Sequence, residues 1–197
     1  MTQLVACAEQ GDLAGIERVL AAGGDIDMQD QSGRTAVMAA TYANQVNAVR
    51  LLFERGANPN IQDDVLNNPF LYAGAEGYLD ILKLANEAGA DPGITNRFGG
   101  TALIPASEHG YVDVVSYLLE ETRVDVNHVN NLGWTALLEA IILNDGGPHQ
   151  QQVVRLLISH GADVNIADGD GVTPLAHARQ RGYTEIAHAL LDAGAKA

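Results

Sequence analysis

Apolar residues fall in pairs of short clusters, separated by polar stretches rich in glycine. In one stretch Thr35 precedes Ala36, Val37, Ala39 and Ala40, and a second cluster follows at Val46, Val49, Leu51, Leu52 and Phe53. Both clusters have helical spacing, and a threonine just before the first can cap its free amides. The first predicted helix ends near Asn44, the counterpart of Gly77, Gly110 and Gly182, all suited to a left-handed C-terminal position. The second stops at Gly56. Beyond it, an Ala-Asn/Asp-x-Asn segment and an Asp/Asn-x-x-Gly stretch read as extended residues and a tight turn. The predicted unit is therefore a helix, a helix and a turn or hairpin.

That unit recurs. Residues 33–40, 100–106, 133–140 and 171–178 are variations on one theme, whose apolar anchors are Leu4, Val37, Phe70, Leu103, Leu137 and Leu175. The intervals are 33, 33, 33, 34 and 38 residues. A second theme recurs in phase at residues 49–60, 81–91, 114–127 and 153–165. Six units fill a single predicted domain, 1–197: residues 1–28, 29–61, 62–94, 95–128, 129–166 and 167–197. Neither short helix can bury its apolar face alone, so stacked neighbours must supply the core. Alanines in register at Ala40, Ala73, Ala106, Ala140 and Ala178 fit close helix packing. The longest interval carries an insertion near 144–152, where Gly146, Gly147 and Pro148 forbid simple helix continuation. It is expected to bulge at the groove edge, as neutral decoration or as a partner contact.

Together, Gly-x-Thr-Ala/Pro-Leu, the glycine closing the first helix, Val-x-x-Leu-Leu and Gly-Ala-Asp-x-Asn resemble the ankyrin repeat over essentially the whole chain. The resemblance implies an all-α solenoid of helix-turn-helix pairs with β-hairpin fingers. It further implies partner binding through the concave face of fingers and inner helices, with no common reaction, ligand or cofactor. Several units depart from the pattern. The first reads as an N-terminal cap, and Gln180, Arg181, Glu185 and His188 suit a water-facing last unit. The family's histidine after Thr-Pro-Leu is absent, its place taken by Met38, Leu71, Ile104, Leu138 and Ala176. Unit three has Leu66 where the turn glycine belongs, so a different turn is expected there. Asn68 replaces the threonine and can still cap, with Pro69 suited to the first helical turn.

Composition narrows the partner. An apolar content of 47% argues against disorder. With 11 basic and 25 acidic residues, a net charge of −14 disfavours nucleic acid and anionic membranes as partners, and suits a protein or peptide with a basic or mixed surface. No apolar run approaches the roughly 18 residues of a membrane span, and no signal peptide is recognisable, so a cytoplasmic monomer is the expectation. Cys7 reads as a small buried filler. No His-Glu-x-x-His, Cys-x-x-Cys, phosphate-loop or nucleophile-elbow pattern occurs, and Asp168–Gly171 reads as a turn. A non-enzymatic interaction scaffold without metal or cofactor is therefore expected, the alternative being an inhibitor or immunity-type protein that blocks an enzyme.

Candidate contact residues lie on the fingers and the inner helices. Val65 and Leu66, Phe98, and Leu132 with Trp134 either pad neighbouring fingers or form a ridge across units three to five. Arg34 and Arg97 add positive charge to the fingers. On the inner helices the candidates are Tyr42, Glu76, Glu108, His109, Glu139 and Ile142.

Overall fold

The computed structural model describes residues 2–196, which form twelve α-helices and no strand. They divide into two compact units, 1–97 and 98–197. The first holds α1 (Gln3–Gln10), α2 (Leu13–Ala21), α3 (Ala36–Tyr42), α4 (Val46–Glu54), α5 (Pro69–Glu76) and α6 (Leu79–Glu87). Consecutive helices pair, and α1, α3 and α5 pack as one layer against α2, α4 and α6 as another. The second holds α7 (Leu103–Glu108), α8 (Val112–Glu121), α9 (Ala136–Ile142), α10 (Pro148–Ser159), α11 (Pro174–Arg181) and α12 (Thr184–Asp192), layered the same way.

Side-chain capping starts the inner helices. The hydroxyls of Thr35, Thr135 and Thr173 accept from the amides of Met38, Leu138 and Ala176 at 3.2–3.3 Å. Asn68 does the same for Leu71 at 2.9 Å. The α7 start differs. Pro105 has no amide to offer the Thr101 carbonyl, and the first turn closes instead from Ile104 N to Thr101 O at 3.2 Å. At their far ends the inner helices close on the repeated alanines. The amides of Gln45, Tyr78, Tyr111 and Tyr183 donate to the carbonyls of Ala40, Ala73, Ala106 and Ala178 at 2.8–3.0 Å. Those four alanines are fully buried, so a larger side chain would push the packed layers apart.

The core of the first unit centres on Phe70, Leu52, Ile81 and Leu82, and that of the second on Leu103, Leu118, Leu137, Leu138, Ile141 and Leu157. Loops are tied from repeat to repeat by side chains. Asn60 Oδ1 accepts from Asp91 N at 2.8 Å while its Nδ2 donates to Gly89 O at 3.2 Å. In the second unit Asn127 repeats both bonds, with Asp163 N at 2.7 Å and Gly161 O at 3.1 Å. Hence the recurring asparagine: one amide group supplies the donor and the acceptor that this bridge needs.

The fingers are turns too short for a strand ladder. Four of them, at Asp30, Asp63, Asn130 and Asp168, close with one backbone bond across the tip, as from Asp30 N to Arg34 O and from Asp168 N to Val172 O, both 3.0 Å. Unit three keeps this turn, contrary to expectation: Asp63 N donates to Asn67 O at 2.9 Å, and Leu66 takes φ +60° where Gly33 takes +71°. The insertion also departs from expectation. Pro148 opens α10, and the extra residues lengthen that helix to 12 residues against 9 in α4. Its loop is pinned: Asn144 Nδ2 donates to Glu108 O at 2.6 Å, Gln150 Nε2 donates to Asn144 Oδ1 at 3.0 Å, and the Tyr183 hydroxyl donates to Asn144 O. Cys7 is half-buried and makes a partial filler only.

A leucine in the left-handed region costs about 1–2 kcal/mol relative to an unstrained backbone. Leu66→Gly should therefore raise unfolding free energy by about 0.5–1 kcal/mol after the greater freedom of unfolded glycine is counted. Leu66→Ala, which keeps the strain, should give no such gain; chemical denaturation of the three proteins checks this.

Candidate functional site

Four fingers, at Asp30, Asp63, Asn130 and Asp168, are each built on one acceptor side chain that gathers the tip amides and reaches an inner helix or its own finger. In the first unit, Asp63 Oδ1 accepts from Val65 N at 3.0 Å and Asn67 N at 2.9 Å. Its Oδ2 accepts from the Tyr42 hydroxyl at 2.5 Å, and Asn67 Nδ2 donates to the same hydroxyl at 3.1 Å. Burial and the Asp63 carboxylate push the Tyr42 phenol up to about 12. The tip so held presents Val65 and Leu66, 43% and 46% exposed. Tyr42 meets Tyr72 edge-on, with ring centroids 4.5 Å apart, and Tyr72 meets Tyr78 edge-on at 6.2 Å.

Arg34 is a brace rather than a spare charge. It is half-buried, with Asp30 at 2.8 Å and Glu9 at 3.3 Å. Burial opposes the Asp30 charge, but the Arg34 hydrogen bond and the amides of Ser32 and Arg34 hold its carboxyl below the usual range. Glu76 and Arg97 are both exposed.

In the second unit Asn130 plays the anchoring part. Its Oδ1 accepts from Leu132 N at 2.9 Å and Trp134 N at 3.0 Å, and its Nδ2 donates to Glu139 Oε1 at 2.7 Å. Glu139, expected among the contact residues, is only 6% exposed and faces this network instead of solvent. Its carboxyl is pushed up to about 7, first by burial and next by Glu108, with Asn130 and His109 opposing. Leu132 is 57% exposed and Phe98 52%, and Asn131 N donates to Phe98 O at 2.9 Å, so their two tips adjoin. Trp134, Glu108 and Ile142 are half-buried, and exposed His109 stacks on Tyr111 with ring centroids 5.4 Å apart. The last finger repeats the plan with Asp168, whose Oδ2 lies 2.6 Å from His177 Nε2.

Three surface residues escape the sequence reading: Val129, 46% exposed beside this ridge, and Tyr72 and Tyr78, both half-buried. Tyr72 stands where the other inner helices carry Ala39, Pro105, Glu139 and His177. A side chain of changing chemistry at one fixed inner-helix position is the signal that could have singled it out. Among the described residues no three His, Cys, Asp or Glu side chains gather as metal ligands, and no helix is long and apolar enough to cross a membrane.

Glu139 sets a pH dependence. Folding raises its carboxyl from 4.5 to about 7, so between those values the folded chain binds the extra proton. The stability this confers is complete below pH 4.5 and is lost as pH rises through 7, by at most about 3 kcal/mol. Glu139→Gln keeps an acceptor for Asn130 and stays neutral, so it should gain on wild type as pH rises from 5 to 8. Paired thermal melts across that range check it; a difference independent of pH refutes it.

Comparison with known proteins agrees with this architecture. The family described as ankyrin repeats (3 copies) matches residues 4–96, 70–168 and 146–197. The ankyrin repeat protein YahD of Escherichia coli strain K12 is 44% identical over 188 residues, 95% of this chain and 94% of its own. An ankyrin repeat domain from Acinetobacter baumannii AYE superposes with a TM-score of 0.96 at 53% identity, covering 98% of both chains. The ankyrin repeat domain of Bcl-3, a member of the IkappaB family, gives 0.87 at 26% identity, covering 100% of this chain and 87% of its own. Tied fingers, capped inner helices, buried alanines and these matches over the whole length lead to one conclusion: this chain belongs to the ankyrin repeat family.

Proposed function

We propose that the protein is a non-enzymatic scaffold that holds a protein or peptide partner against its finger tips and inner helices. Ankyrin repeats are a general protein-interaction module, and here exposed apolar residues at the finger tips do the holding. The observation that carries it is the apolar tip pair of the second unit. Phe98 and Leu132 each expose more than half their surface, yet a backbone bond holds their tips together. Val129, three residues before Leu132, is a further exposed apolar side chain on the same loop. Apolar side chains held on a rigid turn lose little freedom on binding, so more of the burial energy appears as affinity. The turn of unit three supports the same reading, because Leu66 keeps a strained backbone while its side chain stays in water. Each unit has its own buried core, which supports a monomer.

Affinity capture from the native host, quantified by mass spectrometry, tests the reading. Phe98→Ala with Leu132→Ala should lower recovery of the bound partner about tenfold or more. Both side chains are exposed, so unfolding free energy should stay within about 0.5 kcal/mol of wild type. Undiminished recovery would sink the ridge.

A further inference from the structure

The first unit holds an aromatic cluster that its own packing does not use up. Tyr42, Tyr72 and Tyr78 meet at interplanar angles of 69° and 71°, so no pair is stacked in parallel. All three rings are half-buried. Asp63 and Asn67 hold the Tyr42 hydroxyl at 2.5 and 3.1 Å, which fixes that ring before any ligand arrives. Glu76 lies one helical turn after Tyr72 on α5, on the same face, and its charge acts on the Tyr72 phenol. Neither the Glu76 carboxylate nor the Tyr72 hydroxyl has a hydrogen-bond or ion-pair partner among the described residues. Arg34, on the first finger of this unit, is already committed to Asp30 and Glu9. The cluster thus joins electron-rich ring faces to an exposed carboxylate, and what complements both is a cation.

We propose that Tyr42, Tyr72 and Tyr78, with Glu76 beside them, receive the guanidinium group of an arginine on the partner. The inference rests on the partner-binding reading above and names the chemistry of one contact. Guanidinium fits better than a metal ion or an ammonium group. It is planar and weakly hydrated, it lies flat on tyrosine faces, and it can still pair with a carboxylate at its rim. The exposed Val65 and Leu66 belong to the finger that Asp63 and Asn67 tie to Tyr42, so apolar residues flanking the arginine would find a surface there.

The test is an NMR titration of the full chain with N-acetyl-arginine amide, read on the ring protons of the three tyrosines. Its neutral ureido counterpart, N-acetyl-citrulline amide, serves as control. Saturable shifts on Tyr42, Tyr72 and Tyr78 are expected with the arginine compound and none with the citrulline compound. Glu76→Gln, at an exposed position, should weaken binding about three- to fivefold with the fold intact. Tyr72→Leu should abolish it, its melting curve confirming that it folds. Equal responses to both compounds, or a Glu76→Gln protein that binds like wild type, would overturn the proposal. If the arginine compound fails while Phe98→Ala with Leu132→Ala still loses the captured partner, the cation site is wrong and the scaffold stands.

Discussion

A short helix pair cannot keep water from both of its sides, and everything else in this protein answers that constraint. Its helices run from six to twelve residues, at or below the length at which an isolated helix is marginal in water, about 12–15 residues. They persist because, within each unit, inner helices lie against one another, with buried alanines among them. The same alanines lend their carbonyls to the turn that leads into the outer helix. One small residue therefore answers two demands: room for a neighbour, and an acceptor at the helix end.

The fingers follow a second economy. Asp30, Asp63, Asn130 and Asp168 occupy one place in four of the turns, and each collects tip amides on one oxygen. What the rest of the side chain grasps differs: an arginine on its own finger, a tyrosine, a glutamate, a histidine. The four tips share one hydrogen-bond plan, while the chemistry behind them changes from repeat to repeat. Presentation is thus constant and content variable, as a binding surface for one particular partner requires.

Much of this was legible in the sequence because helix spacing and cap residues are local signals. Thr35, Asn68, Thr135 and Thr173 cap as their positions imply. What could not be read depends on neighbours in space. Leu66 looked like a broken turn, but the Asp63–Asn67 closure holds the turn shape even where leucine is strained. Glu139 looked like an exposed acid on an inner helix, and only the approach of Asn130 turns it inward. The insertion looked like a bulge, whereas Pro148 is placed to begin a helix and Asn144 to pin the loop. The tyrosine cluster joins side chains from adjacent inner helices and the α5–α6 junction, a meeting that no single repeat announces.

The asparagine bridges carry a last consequence. Asn60 and Asn127 bridge to backbone atoms of the following repeat, an amide and a carbonyl, with no side chain of that repeat involved. Such a seam is indifferent to the side chains around it. Neighbouring repeats can drift apart in surface chemistry, or be exchanged whole in the course of descent, without renegotiating how they join. A chain can therefore stay plainly recognisable in its architecture while its recognition surface is rewritten.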